Sequence, residues 1–276
     1  MGADSKIQWT HHTFNCWWGC VEDGPECDNC YARTFAKRTG HDVWGLGDRR
    51  FFGEKHWAEL AKWNASAEKA GERRRVFCGS MMDIGECRSD EVGERMDAER
   101  RKLWPLVERC AWLDFLLLTK RPQNMPRVMP ESWLERTPAN VWIGTTAGTK
   151  AGWEKRIKHL RKLNPAVRFV SVEPQLEDLE TVDLSGIHWV IQGGESGGKA
   201  RGFFLNWAAG LRDQCKAAGV AYFAKQLGAR AYLSGPGLLD DDDPEANDIV
   251  RFPLKDSHGG DWDEWPAELR VREFPR

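Results

Sequence analysis

Cys16, Cys20, Cys27 and Cys30 fall within fifteen residues of one another. Nothing else in the sequence restricts the fold as strongly, because thiols so close together are bridged, metallated or kept reduced. The start of the chain, MGADSKIQWT, contains no apolar stretch of a secretory signal. A disulfide framework is therefore the weaker reading, and metal or redox chemistry the stronger one. The segment runs Cys16-Trp-Trp-Gly-Cys20, six further residues, Cys27-Asp-Asn-Cys30 and then Tyr31. Gly19, Gly24 and Pro25 mark it as a loop that can fold its thiolates around one centre. Four thiolates would close a tetrahedral zinc site. Three thiolates with one open corner would suit a four-iron cluster whose fourth iron binds a cofactor or substrate. Spacing does not choose between them, since the C-x6-C interval fits neither of the commonest patterns. Four reduced thiols with no metal form the third, blander reading.

Composition removes several classes. The chain has 276 residues, 30% charged and 41% hydrophobic, which argues against global disorder. A chain of this length buries roughly 75% of its unfolded surface and needs no disulfides to hold a core. The longest strongly apolar stretch, around Phe115–Leu118, is far too short to span a bilayer. No membrane partner is expected, and the cytoplasm is the expected compartment. The net charge of -2 excludes an overwhelmingly basic nucleic-acid binder but leaves room for local patches. Arg49-Arg50, Arg73–Arg75 and Lys155–Lys162 are such patches, and solvated helix faces explain them equally well. The 15 Trp residues are compatible with base stacking, although most Trp side chains are core residues.

Along the chain, short apolar runs alternate with helical stretches. Strands are predicted at Ile7–Thr10, Val76–Ser80, Phe115–Lys120, Val141–Thr145, Arg168–Glu173, Trp189–Gly193 and Val220–Lys225. From the second onward their starts lie 39, 26, 27, 21 and 31 residues apart, intervals that fit strand–helix units and a parallel sheet. Helices are predicted at Tyr31–Arg38, His56–Glu72, Asp90–Arg109, Lys150–Leu163 and Asn206–Ala218. Asn206 is the candidate cap of the last helix and Gly219 its stop signal. Gly40–Trp57 reads as a loop or insertion. The tail after Gly228, with Gly235-Pro236-Gly237 and Asp240–Asp243, changes character, and the Asp run reads as a solvated loop.

The predicted strand ends carry polar residues: Ser80 to Asp83, Thr119-Lys120-Arg121, Gly144-Thr145-Thr146, Ser171-Val172-Glu173, Gly193-Gly194-Glu195-Ser196 and Lys225-Gln226. In a parallel β/α barrel, chemistry sits at the C-terminal ends of strands. About half of these groups are expected to serve structure alone. The stretch from Gly193 to Lys199 nearly matches a phosphate-binding loop, but Ala200 stands where Ser or Thr would hold magnesium. A glycine-rich strand end approached closely by a ligand fits better.

The sequence resembles a family of uncharacterised bacteriophage and prophage proteins that is similar to an outlying branch of the radical S-adenosylmethionine (SAM) enzymes. The resemblance covers about residues 6 to 228. It rests on Ile7-Gln8-Trp9-Thr10, Gly19-Cys20, Cys27-Asp28-Asn29-Cys30-Tyr31-Ala32, Gly79-Ser80-Met81, Leu118 to Pro122, Asn140 to Gly144, Ser171 to Pro174, Gly193 to Gly197 and Lys225 to Gly228. Radical SAM enzymes usually carry C-x3-C-x2-C. Here Cys20, Cys27 and Cys30 follow C-x6-C-x2-C, the form of the phage family, and Cys16 lies where relatives have Pro. The superfamily's early Gly-Gly-Glu element has no plain counterpart, and Ser80 and Asp83 occupy its place.

The resemblance implies an α/β fold, a single-domain, partial TIM-like parallel β/α barrel over residues 1–228. The cluster loop would lie at 15–31, and a C-terminal extension, 229–276, would pack on the barrel. It implies Cys20, Cys27 and Cys30 as ligands of a [4Fe-4S] cluster whose fourth iron chelates SAM. Reduction would cleave SAM to methionine and a 5′-deoxyadenosyl radical that removes a substrate hydrogen. Tyr31, Ser80, Asp83, Thr145, Thr146, Glu173, Gly193 and Gly194 are the expected cofactor contacts. Lys120, Glu195 and Lys225 are the expected catalytic residues, and Arg121 joins Lys120 and Lys225 as a candidate for binding an anion. The implied partners are DNA or a modified nucleotide, and a reductant such as flavodoxin or ferredoxin. The implied reaction is isomerisation of an amino-acid-modified thymine in phage DNA, inside the host cytoplasm. The alternatives are a radical SAM DNA repair lyase and a zinc-stabilised nucleic-acid-binding protein that uses all four clustered cysteines. Cys78 reads as a buried small residue before it reads as a hydrogen donor.

Overall fold

A computed structural model describes residues 2–233 and 250–275. Gly235-Pro236-Gly237 and Asp240–Asp243 lie outside the described residues. The strands are β1 (His12–Phe14), β2 (Trp17–Trp18), β3 (Arg50–Phe51), β4 (Arg74–Cys78), β5 (Leu113–Thr119), β6 (Val141–Thr146), β7 (Val167–Val172), β8 (Trp189–Gly193), β9 (Phe203–Phe204), β10 (Ala221–Gln226) and β11 (Ala231–Tyr232). The helices are α1 (Tyr31–Arg38), α2 (Glu54–Ala70), α3 (Glu91–Arg109), α4 (Met125–Val128), α5 (Glu131–Glu135), α6 (Lys150–Leu160) and α7 (Leu205–Ala218). A seven-stranded sheet has the order β1-β4-β5-β6-β7-β8-β10. This is an α/β fold on a parallel sheet, and the sheet is open, with β1 and β10 at its ends.

The chain divides into two compact units, Met1–Thr145 with Arg156–Arg168, and Thr146–Lys155 with Phe169–Arg276. In the first unit β1 pairs with β4, β4 with β5 and β5 with β6, all parallel. Val76, Phe115, Leu116, Leu117, Val141 and Ile143 are fully buried there, the continuous apolar pattern of strands covered on both faces. The edge strand departs from expectation. Ile7–Thr10 forms a turn, with the Thr10 N–H donating to the Ile7 carbonyl at 3.1 Å. Pairing starts only at His12, opposite Val76. Trp9 instead packs on Phe77, ring centroids 4.5 Å apart.

In the second unit β7 pairs with β8 and β8 with β10, again parallel. The C-terminal segment covers the outer edge of β10. The Ala224 N–H donates to the Val271 carbonyl at 2.8 Å, and the Glu273 N–H to the Tyr222 carbonyl at 2.9 Å. Covering an edge in this way blocks pairing with other chains. Gly219, at φ 67°, ends α7 as expected. The helix begins at Leu205 with Phe204 in the cap position, so Asn206 lies inside the first turn and is not the cap. The proline-rich stretch after β5 forms two short helices, α4 and α5, that the apolar pattern did not announce.

His11 gives this edge a pH dependence. Its Nδ1 accepts the Arg75 N–H at 2.9 Å. Burial first, then Arg75, Arg74 and His12, push its pKa down to about 4 from 6.5. The unfolded chain therefore binds a proton between those values that the folded chain refuses. The stabilising contribution is complete above pH 6.5 and is lost as pH falls through 4. His11→Asn keeps an acceptor without the titration. The urea midpoint of the parent is expected to fall more than that of the variant between pH 7 and pH 4.5, and parallel declines would contradict this role.

Candidate cofactor-binding site

Because β1, β4, β5 and β6 run parallel, their C-terminal ends share one edge of the first unit. The cysteine loop leaves β1 at that edge. Asn15 starts it, donating from Nδ2 to Ser80 Oγ and accepting the Met81 N–H at Oδ1, both at 2.8 Å. The Gly19 N–H donates to the Met81 carbonyl at 3.0 Å. Gly19 has φ +115°, and a Cβ there would lie 2.1 Å from the Val43 carbonyl oxygen, so only glycine fits. Further on, Arg121 donates to the Val21 carbonyl at 2.8 Å and pairs with Asp83 at 2.7 Å. Glu86 accepts the Val21 N–H at 3.4 Å and pairs with Arg49, both side chains being buried. Arg156 pairs with Glu26 at 2.8 Å and donates to the Asp23 carbonyl at 2.7 Å. Three arginines thus fix a loop that has no regular strand pairing between Gly19 and Cys30.

Beyond the loop, α1 seats Ala32 and Ala36 on Val43 and Met81, and Trp18, Cys30, Phe35 and Trp44 pack around them. Tyr31 is 53% exposed, and its hydroxyl donates to the Ser80 carbonyl at 2.9 Å. The cysteine-bearing helix is thereby tied to the end of β4.

All eight cysteines are free thiols. Burial pushes the Cys20 thiol well up, Asp83 and Glu86 add to this, and Arg121 and Lys120 oppose it. Burial also raises Cys27, opposed by Lys120 and by the Asp23 N–H, which donates to its Sγ at 3.4 Å. Cys27 in turn interacts with Cys30. Lys120 is thus a charged neighbour of both Cys20 and Cys27, and Cys30 is a neighbour of Cys27. Cys16 has different surroundings. It is fully buried, and burial, then Cys78, drive its thiol upward, with Arg100 and Glu99 as its charged neighbours. A zinc site using all four clustered thiolates needs Cys16 beside the others, and this environment counts against it. Cys78 is itself a fully buried core thiol. Among the described residues, no three His, Cys, Asp or Glu side chains form a group able to hold a single metal ion.

Several expected contacts of the first unit are committed to protein partners. The Asp83 carboxylate takes the Gly85 N–H at 2.9 Å, the Lys120 N–H at 3.1 Å, the Thr119 hydroxyl and the Arg121 guanidinium. It shapes the strand-end loop through these four contacts. Thr145 is buried and donates to the Thr119 carbonyl at 2.8 Å. Ser80 is buried beside Asn15.

The second unit carries Thr146, Glu173, Gly193, Gly194, Glu195 and Lys225. Lys225 Nζ pairs with Glu173 at 2.8 Å. The β8–β10 register shifts between Ala224 and Gln226, leaving Lys225 at a bulge, a device that re-aims a side chain. The Ser171 hydroxyl donates to Glu173 at 3.3 Å. Thr146 is buried. The two glycines are explained by the protein itself. A Cβ on Gly194 would lie 2.5 Å from the Leu227 carbonyl oxygen, and one on Gly193 3.1 Å from that of Gln226. The close approach is made by the following strand's own backbone. Glu195 is buried and holds Arg201 through both carboxylate oxygens, besides accepting the Arg201 N–H at 2.8 Å. These contacts close the 195–201 loop.

Asn15, Asp23, Glu26 and Glu86 were not anticipated, and Arg49 and Arg156, expected in basic patches, are instead buried in ion pairs with Glu86 and Glu26. Asp23 and Glu26 carried a signal, as acids inside the cysteine loop. Arg156, 130 positions from Glu26, carried no signal of that pairing.

A search of curated proteins finds no match. Two solved structures of spore photoproduct lyase, each a single-substitution variant, are similar to this chain at 13% identity. The alignments cover 93% of this chain and 72% of theirs, with TM-scores of 0.51 and 0.49. The first likeness establishes a shared fold. In sequence, residues 4–258 match the family described as "Protein of unknown function (DUF5131)", and the chain belongs to that family.

Proposed function

We propose that this chain is a radical SAM enzyme acting on a base in DNA. The observation that carries the proposal is that Lys120 lies beside both Cys20 and Cys27, and Cys30 beside Cys27, while the neighbours of Cys16 are Cys78, Arg100 and Glu99. Thiolates on a loop suit iron–sulfur ligation, so Cys20, Cys27 and Cys30 are assigned to a [4Fe-4S] cluster. That group, with SAM bound, supplies one-electron cleavage of the sulfonium and hydrogen-atom abstraction from a substrate. The chain's own residues bind, orient and exclude water. Lys120 and Arg121 offset thiolate charge, and Arg121 also fixes the loop through Val21 and Asp83. Tyr31, half exposed and anchored at its hydroxyl, is assigned to contact the adenine of SAM. The Glu173–Lys225 pair provides one acceptor and one donor for the zwitterionic end of an amino acid, in SAM or in the substrate. Electrons would come from a flavodoxin or ferredoxin.

Two substrates have separate support. The likeness to spore photoproduct lyase favours a lyase acting on damaged DNA. The resemblance to phage proteins favours isomerisation of an amino-acid-modified thymine, in the host cytoplasm. A target base must be extruded from the duplex to reach a buried radical. Anaerobic, iron-reconstituted protein with SAM and reductant is incubated with ultraviolet-damaged DNA and with hypermodified phage DNA. Nucleosides are then resolved by chromatography and mass spectrometry. Loss of a damaged nucleoside supports the lyase, and a changed retention time at unchanged mass supports the isomerase. SAM cleavage with neither DNA altered would sink the DNA-base reading.

A further inference from the structure

The face of α3 around Arg101 lies outside the cysteine loop, and it builds a cleft. Its volume is about 410 Å3, and α3 and the stretch from Arg127 to Pro130 line it. We infer that this cleft binds a nucleotide, free or as one residue of a single strand, through its phosphate.

Charge is the first ground. Arg100, Arg101, Arg127 and one acid, Asp97, line the cleft. Asp97 is already paired with Arg100 at 2.5 Å. Among the described residues, Arg101 and Arg127 have no carboxylate partner, and both are exposed. Two uncompensated guanidinium groups at one cleft attract an anion, and their planar forks match phosphate oxygens in pairs.

The floor is the second ground. Trp104 is buried, its Nε1–H is spent on the Val128 carbonyl at 3.0 Å, and its ring meets Trp133 edge-on at 5.2 Å. It offers apolar surface and no spare donor. Its position is fixed before any ligand arrives, which lowers the ordering cost of binding. Pro105, inside α3, has no N–H to give the Arg101 carbonyl. The ligand so described has a phosphate and an apolar ring. The volume is at the small end for ligand pockets, which suits one nucleotide better than a length of acidic peptide. The wall is firm as well, since Arg100 donates to the Ile84 carbonyl at 2.9 Å and to the Glu86 carbonyl.

The inference does not depend on the cluster or on SAM, and its test uses the purified full chain without either. Anisotropy of a fluorescein-labelled single-stranded oligonucleotide is followed from about 50 to 200 mM salt. The parent binds, and thymidine monophosphate competes where thymidine does not. The double variant Arg101→Ala/Arg127→Ala binds about ten-fold more weakly or worse. Its log–log salt slope is smaller by about 0.7, the value for one phosphate contact on a single strand. Arg101→Lys/Arg127→Lys keeps most of the salt slope, and circular dichroism shows all forms folded. Binding of the monophosphate alone identifies a free nucleotide as ligand, and displacement only by strands identifies a residue in a chain. No binding by the parent, an unchanged double variant, or a cleft that takes acidic peptides and not nucleotides would each overturn the inference.

Discussion

Replacing Cys20, Cys27 or Cys30 with alanine is expected to remove the iron from reconstituted protein and bring SAM cleavage down to background. Cys16→Ala is expected to leave both near the parent level. The contrast follows from environment. Cys20 and Cys27 lie near Lys120, and Cys27 interacts with Cys30. Cys16 lies in the core beside Cys78. A cluster with three protein ligands has no substitute donor when one is lost. The cost at Cys16 is a small core cavity, which acts on stability and not on iron. Iron and sulfide are measured per chain, with 5′-deoxyadenosine quantified in the same samples. Loss of iron from Cys16→Ala equal to that from Cys20→Ala would contradict the three-thiolate assignment.

The second large effect is expected at Arg49. Its guanidinium pairs with Glu86 inside the protein and donates to the Val43 and Gly47 carbonyls at 3.1 Å each. Burial already raises the Glu86 carboxyl above its usual 4.5, with Arg49 pulling the other way. Arg49→Met leaves that carboxylate buried without its main counter-charge. Breaking such a pair costs about 3–5 kcal/mol. The pH dependence has a definite sign. A carboxyl raised in the folded state contributes fully below pH 4.5, and that contribution is lost as pH rises through its folded value. Removing Arg49 raises the folded value further. The deficit of the variant, measured by urea denaturation, should therefore be greatest at neutral pH and shrink as pH falls toward 4.5. A deficit that does not change with pH would place the cost in lost packing and carbonyl contacts. Because Glu86 also accepts the Val21 N–H, the variant should in addition hold iron less well than its stability alone predicts.

Much of the architecture was legible in local sequence. Six of the seven expected strands overlap strands of the parallel sheet, because a buried parallel strand is a short run of apolar residues between turn signals. The miss at Ile7–Thr10 has a physical cause. Ile7 and Trp9 show the alternation of a strand, but pairing with β4 begins only at His12, and spacing holds no record of that register. The helix stop at Gly219 was legible, whereas the expected end at Glu72 overran Gly71, the left-handed glycine that ends α2.

The site was legible in part. The cysteines, Tyr31 and the polar strand ends stood out as residue types in a pattern. What each polar group touches did not. Asp83 and Glu195 look like free acids in sequence, and each is neutralised by an arginine and backbone N–H groups in the fold. Gly193 and Gly194 look like a ligand loop, while the backbone they admit is that of Gln226 and Leu227. Such long-range pairings arise only when strands distant in sequence become neighbours.

One experiment bears most directly on the proposed radical chemistry. Protein purified without oxygen and reconstituted with iron and sulfide is reduced, and its electron paramagnetic resonance spectrum is recorded before and after SAM is added. The predicted result is a [4Fe-4S] signal that shifts on SAM addition, with 5′-deoxyadenosine formed. Tightly bound zinc, no cluster signal and intact SAM would contradict it.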